Sequence, residues 1–429
     1  MNMRLELQKF HVRKIAFGPE TSFDKGTLTI NKEEMTALLT QDSRHFRGYE
    51  IELVSPGDDA RIIDVSDVIE PRARRDGGDW PGILDKTVGI VGNGKTDVLD
   101  GAALIMIDDA GDNGKNRPRP WGSVIEMTGP GAELTIFSKT HNICVLPKAA
   151  PGVNVKDPNF KVALKTAALR ASVYLAACCR ELTPDEAEVY ELPPLSEAAS
   201  GREDLPRFVY VWNIYRYYLK EEAAIYGKIY SWTPSMLLHP NEIFDGAVVN
   251  PYKEGHTLET YSIQNLPVAK ALYERHGRDL LFLGVIPTVA QMEDCDVQSQ
   301  MNTALKLAVQ IGADGAVLTK ATGGSPMMDL AAFSANATQY GIKSVLIIDD
   351  MAAKLPDGRF RTNGIIFTDP RAGAIVTTGN TTETFNFPPV SRVVGIYKDG
   401  AEKGIQARMT DIMGPGTQLG NSMLMDVKY

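Results

Sequence analysis

The chain is short of cysteine, of basic excess and of long apolar runs, and each shortage removes a class of function. Its four cysteines, Cys144, Cys178, Cys179 and Cys295, make no CxxC pair and no zinc-finger spacing, which points to free thiols in a reducing compartment. Cys178 and Cys179 fall in an Ala-rich helical pattern and are expected to pack as small hydrophobes. Between Cys179 and Cys295 there is no cysteine at all. Lysine and arginine total 45 against 54 aspartates and glutamates, a formal net charge of -9. Without basic stripes, nucleic acid and anionic membranes are poor partners. No run of about 18 apolar residues exists to span a bilayer, and the first ten residues alternate apolar with polar side chains instead of forming a signal-peptide core. The expected location is the cytoplasm.

What is present suits a folded α/β enzyme subunit of two to three domains, since 429 residues with 43% hydrophobic content can bury more than one core. Residues 1–150 carry short alternating runs, YEIELVS at 49–55 and ELTIFS at 133–138, punctuated by Gly and Pro, and predict a mainly β domain. Residues 151–200 predict a helical segment and linker: the pattern is helical from 157 to 181, Thr183 and Glu186 have capping-box spacing, and 191–207 mixes Pro, Ser, Gly and charge. Residues 201–429 alternate apolar strands (208–215, 280–286, 315–320, 344–350, 373–379) with helices at 298–312 and 328–341, each closed by Gly. This pattern predicts a doubly wound, mostly parallel α/β sheet domain.

Ligands of such sheets bind beyond the carboxyl ends of the strands. The loop ATGGSPMMD at 321–329 offers Ser325 and backbone amides at a helix start, with a tight βα turn as the alternative reading. Asp349 and Asp350 end one strand and Asn380 another, suited to orienting an ammonium or a metal, or to capping helices. His141, beside Ser138, Lys139 and Thr140, is either a general acid–base or a structural histidine. Within about twenty residues lie His239, Glu242, Glu254, His256 and Glu259, an imidazole and carboxylate set compatible with Zn or Fe but without HExxH spacing. The weak metal candidates are His239, Glu242 and His256. The aromatics from Tyr210 to Trp232, with no basic interleaving, predict core or subunit interface.

Residues 239–265, HPNEIFDGAVVNPYKEGHTLETYSIQN, carry the most specific signal. Together with DVIEPR at 67–72, VGNGKTDVLDGAAL at 91–104, MTGPGAELTIFSKTHN at 127–142 and YERHGRDLLFLGVI at 273–286, they resemble the precursor of component B of the glycine, sarcosine and betaine reductases. In that family an HPNE…DGA…TY…QN frame surrounds an Asn-Cys bond whose cleavage leaves a pyruvoyl group. Here the frame persists, in His239, Pro240, Asn241, Glu242, Asp245, Gly246, Ala247, Thr260, Tyr261, Gln264 and Asn265, but the cysteine does not. Thr257, Thr260 and Ser262 are the only formal substitutes among neighbouring residues, and none follows an Asn. An intact chain without a pyruvoyl group is therefore expected, and a divalent metal is the cofactor left open. The resemblance implies a subunit of a two-component enzyme that cleaves a C–N bond in a small amino-acid-like or amide-like substrate. Its larger partner would carry Cys or selenocysteine, in a hetero-oligomer. The alternatives are a non-catalytic partner subunit with a degenerate site, or a metal-dependent hydrolase on the same scaffold. The retained frame nominates His256, Glu259 and Tyr261 as catalytic, and Gln264 and Asn265 as substrate-binding with Ser325, Asp350, Asn380 and His141.

Overall fold

The computed structural model describes residues 3–108, 122–197, 204–214, 225–228, 235–249, 259–289, 294–320, 325–350, 353–354, 359–361, 369, 371–380, 383–414, 416–417 and 421–422. It is mixed α/β: a β-rich N-terminal region precedes a parallel sheet flanked by helices. Among the described residues no helix is long and apolar enough to cross a membrane.

Two larger sheets, besides a small one of three strands, build the N-terminal region. One has the strand order Glu186–Leu192, Met3–His11, Gly94–Asp100, Arg72–Arg74. The other runs Ser123–Glu126, Ala60–Ile69, Ala102–Ile107, His141–Ala149, Phe46–Val54, with Arg392–Val394 returning late in the chain to pair with Ala60–Ile69. Strand alternation turns Tyr49 and Ile51 inward and Glu50 outward. A long helix, Pro158–Ala177, packs on these strands; Asp157 caps it by accepting the Asn159 N–H at 2.8 Å, and Phe160, Leu164 and Ala168 form one buried stripe.

Two local expectations fail for identifiable reasons. The alternating ELTIFS run forms a turn of 3-10 helix at Ile136–Ser138 instead of a strand. Thr135 initiates it, its Oγ1 accepting the Phe137 N–H at 3.2 Å and donating to the Met413 carbonyl at 2.6 Å. The Thr183/Glu186 spacing starts no helix, because Glu186–Leu192 is an edge strand antiparallel to Met3–His11, with Tyr190 and Leu192 alternating inward. Asp185 receives the His11 N–H at 2.8 Å and fixes the entry to that strand.

The parallel sheet has the order Leu281–Val289, Arg207–Ile214, Gly315–Lys320, Lys343–Asp350, Ala374–Asn380. Strand order therefore reverses between Arg207–Ile214 and Gly315–Lys320. On one face Val209, Val211 and Leu318 pack beneath the helices Asp294–Gln310 and Ser325–Ala337, through Met301, Leu330 and Phe333. The opposite face, with Tyr210, Trp212 and Ile214, packs on the central segment through Ile243, Phe244 and Ile263. Tyr210 and Trp212 are thus core. Tyr215, Tyr217, Tyr218, Tyr230 and Trp232 lie outside the described residues.

Candidate functional site

The central segment forms two short helices, Pro240–Phe244 and Thr260–Gln264. Buried charges of the N-terminal strands hold both. Asp245, at the end of the first helix, accepts from Arg74 Nε at 2.9 Å, the Gly92 N–H at 2.7 Å and Thr96 Oγ1 at 2.6 Å. The following Gly246 has φ +92°, and a Cβ there would lie 3.2 Å from the Trp80 ring, so the turn requires glycine. In the second helix the Thr260 N–H and Oγ1 both donate to Asp67, at 2.8 and 2.6 Å, and Lys165 Nζ donates to the same carboxylate at 2.6 Å. Glu70 and Arg72 form a buried pair, and Arg72 also donates to the Phe244 carbonyl, tying the two helices to one strand.

This arrangement defines what the frame residues do. The His239 Nδ1 accepts the Asn241 N–H at 3.2 Å, while Glu242 Oε2 accepts the His239 N–H at 2.7 Å. The pair is a capping box, which engages His239 Nδ1 and Glu242 Oε2, while the buried His239 Nε2 has no hydrogen-bond partner. Burial depresses the His239 imidazole to about 4, so it stands neutral. Burial likewise raises Glu242, opposed by hydrogen bonds from Tyr226 and the His239 amide. The Gln264 side chain grips the backbone of Glu70, accepting its N–H at 3.0 Å and donating to its carbonyl at 3.1 Å. Asn265 accepts from Arg72 and Lys270 and donates to Glu70 and the Tyr261 carbonyl, all between 3.0 and 3.1 Å. Gln264 also lines a narrow cleft with Arg72, Arg74, Trp80, Thr96 and Asp245.

Glu259 differs from these neighbours. It is fully buried, Ser262 donates to its Oε1, and its Oε2 has no hydrogen-bond partner. Burial pushes its carboxyl up to about 7, against the pull of the Ser262 hydrogen bond and with repulsion from Asp67 adding to the rise. A carboxyl divided between its two protonation states near neutrality is suited to acid–base work. Tyr261, next in chain but one, stacks edge-on against Phe137 with centroids 5.3 Å apart, and burial raises its phenol far above the ordinary value.

Among the other nominated residues, His141 has a partner outside this group. His141 opens the strand His141–Ala149, its Nδ1 faces Ser55 Oγ at 3.1 Å, and burial lowers its imidazole. Asp350 and Asn380 are register partners at the carboxyl ends of neighbouring parallel strands, and Ser325 begins a helix beside that sheet. Only the backbone of these three lies within the description. His256, Thr257 and Glu254 lie outside the described residues. Sequence reasoning overlooked Asp67, Glu70, Arg72 and Arg74 as partners of the frame, although the DVIEPR block that contributes to the resemblance contains the first three.

A model of the glycine/sarcosine/betaine reductase component B subunits matches residues 3–411. The chain belongs to this family. Among its relatives, the glycine reductase complex component B subunits alpha and beta of Acetoanaerobium sticklandii are 35% identical over 402 residues, covering 92% of this chain and 90% of that protein. From Peptoclostridium acidaminophilum, the sarcosine reductase complex component B subunit alpha is 33% identical over 398 residues, covering 92% and 90%. The betaine reductase complex component B subunit alpha of the same organism is 30% identical over 441 residues, covering 99% and 95%. No solved structure matches at a significant level. The hydroxyls of Thr260 and Ser262 donate to Asp67 and Glu259, and each follows a residue other than Asn.

Proposed function

We propose that this chain is a subunit of a two-component reductase that cleaves a C–N bond in a small amino-acid-like or amide-like substrate, without a pyruvoyl group, in a cytoplasmic hetero-oligomer. The larger partner supplies a Cys thiolate or a selenolate. That nucleophile forms the new bond to the substrate carbon, the C–N pair departs on nitrogen, and a neutral Glu259 carboxyl gives its proton to the leaving nitrogen. Glu259 then regains a proton from solvent. With no carbonyl group to activate an amine, the scheme favours substrates whose nitrogen is already a good leaving group, betaine-like ones included. His256 and Tyr261 are assigned to the same site, as proton donor and as wall; no metal is required.

The observation that carries this reading is Glu259: a buried carboxyl with a bare oxygen, held near neutrality, directly before the Thr260 and Tyr261 of the frame. Gln264 and Asn265 are assigned here to positioning as well as to contact with substrate, because their amides already hold Glu70. The test is turnover by the chain co-purified with its partner, measured as amine release from glycine, sarcosine, betaine and simple amides under thiol reduction. Glu259→Gln is expected to lower kcat about 10²-fold with intact assembly, a usual size for losing proton transfer. Parental kinetics in a folded Glu259→Gln complex would favour the non-catalytic, degenerate subunit instead.

A further inference from the structure

The parallel sheet contains a second group of buried polar side chains, on the face turned away from the central segment. Thr288, Asn213 and Lys320 are register partners across three adjacent strands, one residue before the carboxyl end of the first two and at the end of the third. Neighbours two residues earlier, Ile286, Val211 and Leu318, all belong to the core beneath the covering helices. Period-two alternation therefore places the polar row on that same helix-covered face. Asp329, on the helix Ser325–Ala337, meets the row: Asn213 Nδ2 donates to Asp329 Oδ2 at 3.2 Å. The row sits where strand order reverses, the place in such sheets where a crevice opens between flanking connections.

Three polar atoms here have no hydrogen-bond partner: Asn213 Oδ1, Asp329 Oδ1 and Thr288 Oγ1. Their residues are at most 1% exposed. Buried polar groups are nearly always paired, so a cluster of three at one point calls for an occupant. The carboxylate only accepts, which fixes the Asn213 amide with its nitrogen toward Asp329 and its oxygen outward. Two bare acceptors and a hydroxyl side by side ask for N–H donors. Among the described residues no group of three His, Cys, Asp or Glu could hold a metal ion.

We infer that Asn213, Thr288 and Asp329 form a binding site for a small molecule carrying a primary or secondary ammonium, separated by the sheet from Glu259 and its neighbours. The site goes beyond the proposed reaction and does not depend on it. A quaternary ammonium, having no N–H, is refused. Burial holds the Asp329 carboxyl up at about 7, with only the Asn213 hydrogen bond opposing it, consistent with a carboxylate that lacks its counter-charge.

The experiment is titration of the full chain, with its partner where the two co-purify, by methylammonium chloride and by tetramethylammonium chloride, followed by calorimetry and by ligand-observed NMR. Saturable binding of methylammonium alone is expected. Asp329→Asn is expected to weaken it about tenfold, the size of one lost charge-assisted hydrogen bond. Thr288→Val, which keeps side-chain shape, should weaken it less and guards against misfolding of the first variant. Equal binding of both probes, no binding of either, or methylammonium binding unchanged in both variants overturns the site. Because the readout is binding, failure of C–N cleavage leaves the inference standing, and loss of the site leaves the Glu259 reading standing.

Discussion

The central segment lies between two regions that hold it by different means. On the N-terminal side the contacts are charged: Arg74–Asp245, Arg72–Glu70 and Lys165–Asp67 are all buried pairs. On the side of the parallel sheet they are apolar: Tyr210, Trp212 and Ile214 pack on Ile243, Phe244 and Ile263. Among the described residues of that sheet, the ion pair Arg207–Asp314 is exposed, with side-chain exposures of 41% and 47%. Apolar packing is tolerant of small shifts, whereas a desolvated ion pair with further hydrogen bonds is satisfied in one arrangement only. The N-terminal region thus sets the position of the segment and the sheet supplies a surface for it to rest on.

The largest effect is expected at Arg74. Arg74→Ala leaves Asp245 buried without its cation and is expected to cost about 3–5 kcal/mol in denaturant unfolding. Arg74→Met combined with Asp245→Leu should return most of that loss while loosening the segment. An Arg74→Ala variant as stable as the parent would show that the charged side does not hold the segment.

Glu259 responds to pH. Its folded value of about 7 lies above the ordinary 4.5. Below about 4.5 the group is protonated in both folded and unfolded chains, and it carries no penalty; between about 4.5 and 7 the unfolded chain ionises while the fold keeps its proton, so stability falls, and it levels off above 7 where the fold holds a buried carboxylate. Glu259→Gln stays neutral, so the variant should gain on the parent across that interval, by on the order of 3 kcal/mol. Parallel stability curves from pH 4 to about 8 would mean that a cation pairs with Glu259 in solution. The smallest effect belongs to the exposed pair: Arg207→Ala should change stability by less than about 1 kcal/mol, and less again at high salt.

Much of the parallel sheet was legible because a strand covered on both faces is a nearly continuous apolar run, as in GAVLTK and LLFLGVI, and its helices end at Gly. The edge strand Glu186–Leu192 was not, since half its residues are charged and TPDE imitates a helix start; only its pairing with Met3–His11 decides the matter. The frame of the central segment was also legible, but its partners were harder to see. Arg72 and Arg74 follow a proline in EPRARR, a composition that suggests a solvated turn, yet both are buried. Their burial depends on Asp245 and Asn265, more than 170 residues away. Asn213 and Asp329 were hidden for the same reason, one lying within an aromatic strand and the other within a hydrophobic helix.

The late strand Arg392–Val394 completes a sheet begun by residues 60–69. Arg61, wholly buried, pairs with Glu126 and reaches forward to the carbonyls of Pro388, Ala401 and Lys403. The two halves of the polypeptide on either side of residues 250–258 are therefore interlocked like a clasp, each completing a layer of the other. A single backbone cut inside that interval would leave both pieces travelling together through any native separation. Only after denaturation, as one species of 46.9 kDa or as two fragments, does the continuity of the chain become visible.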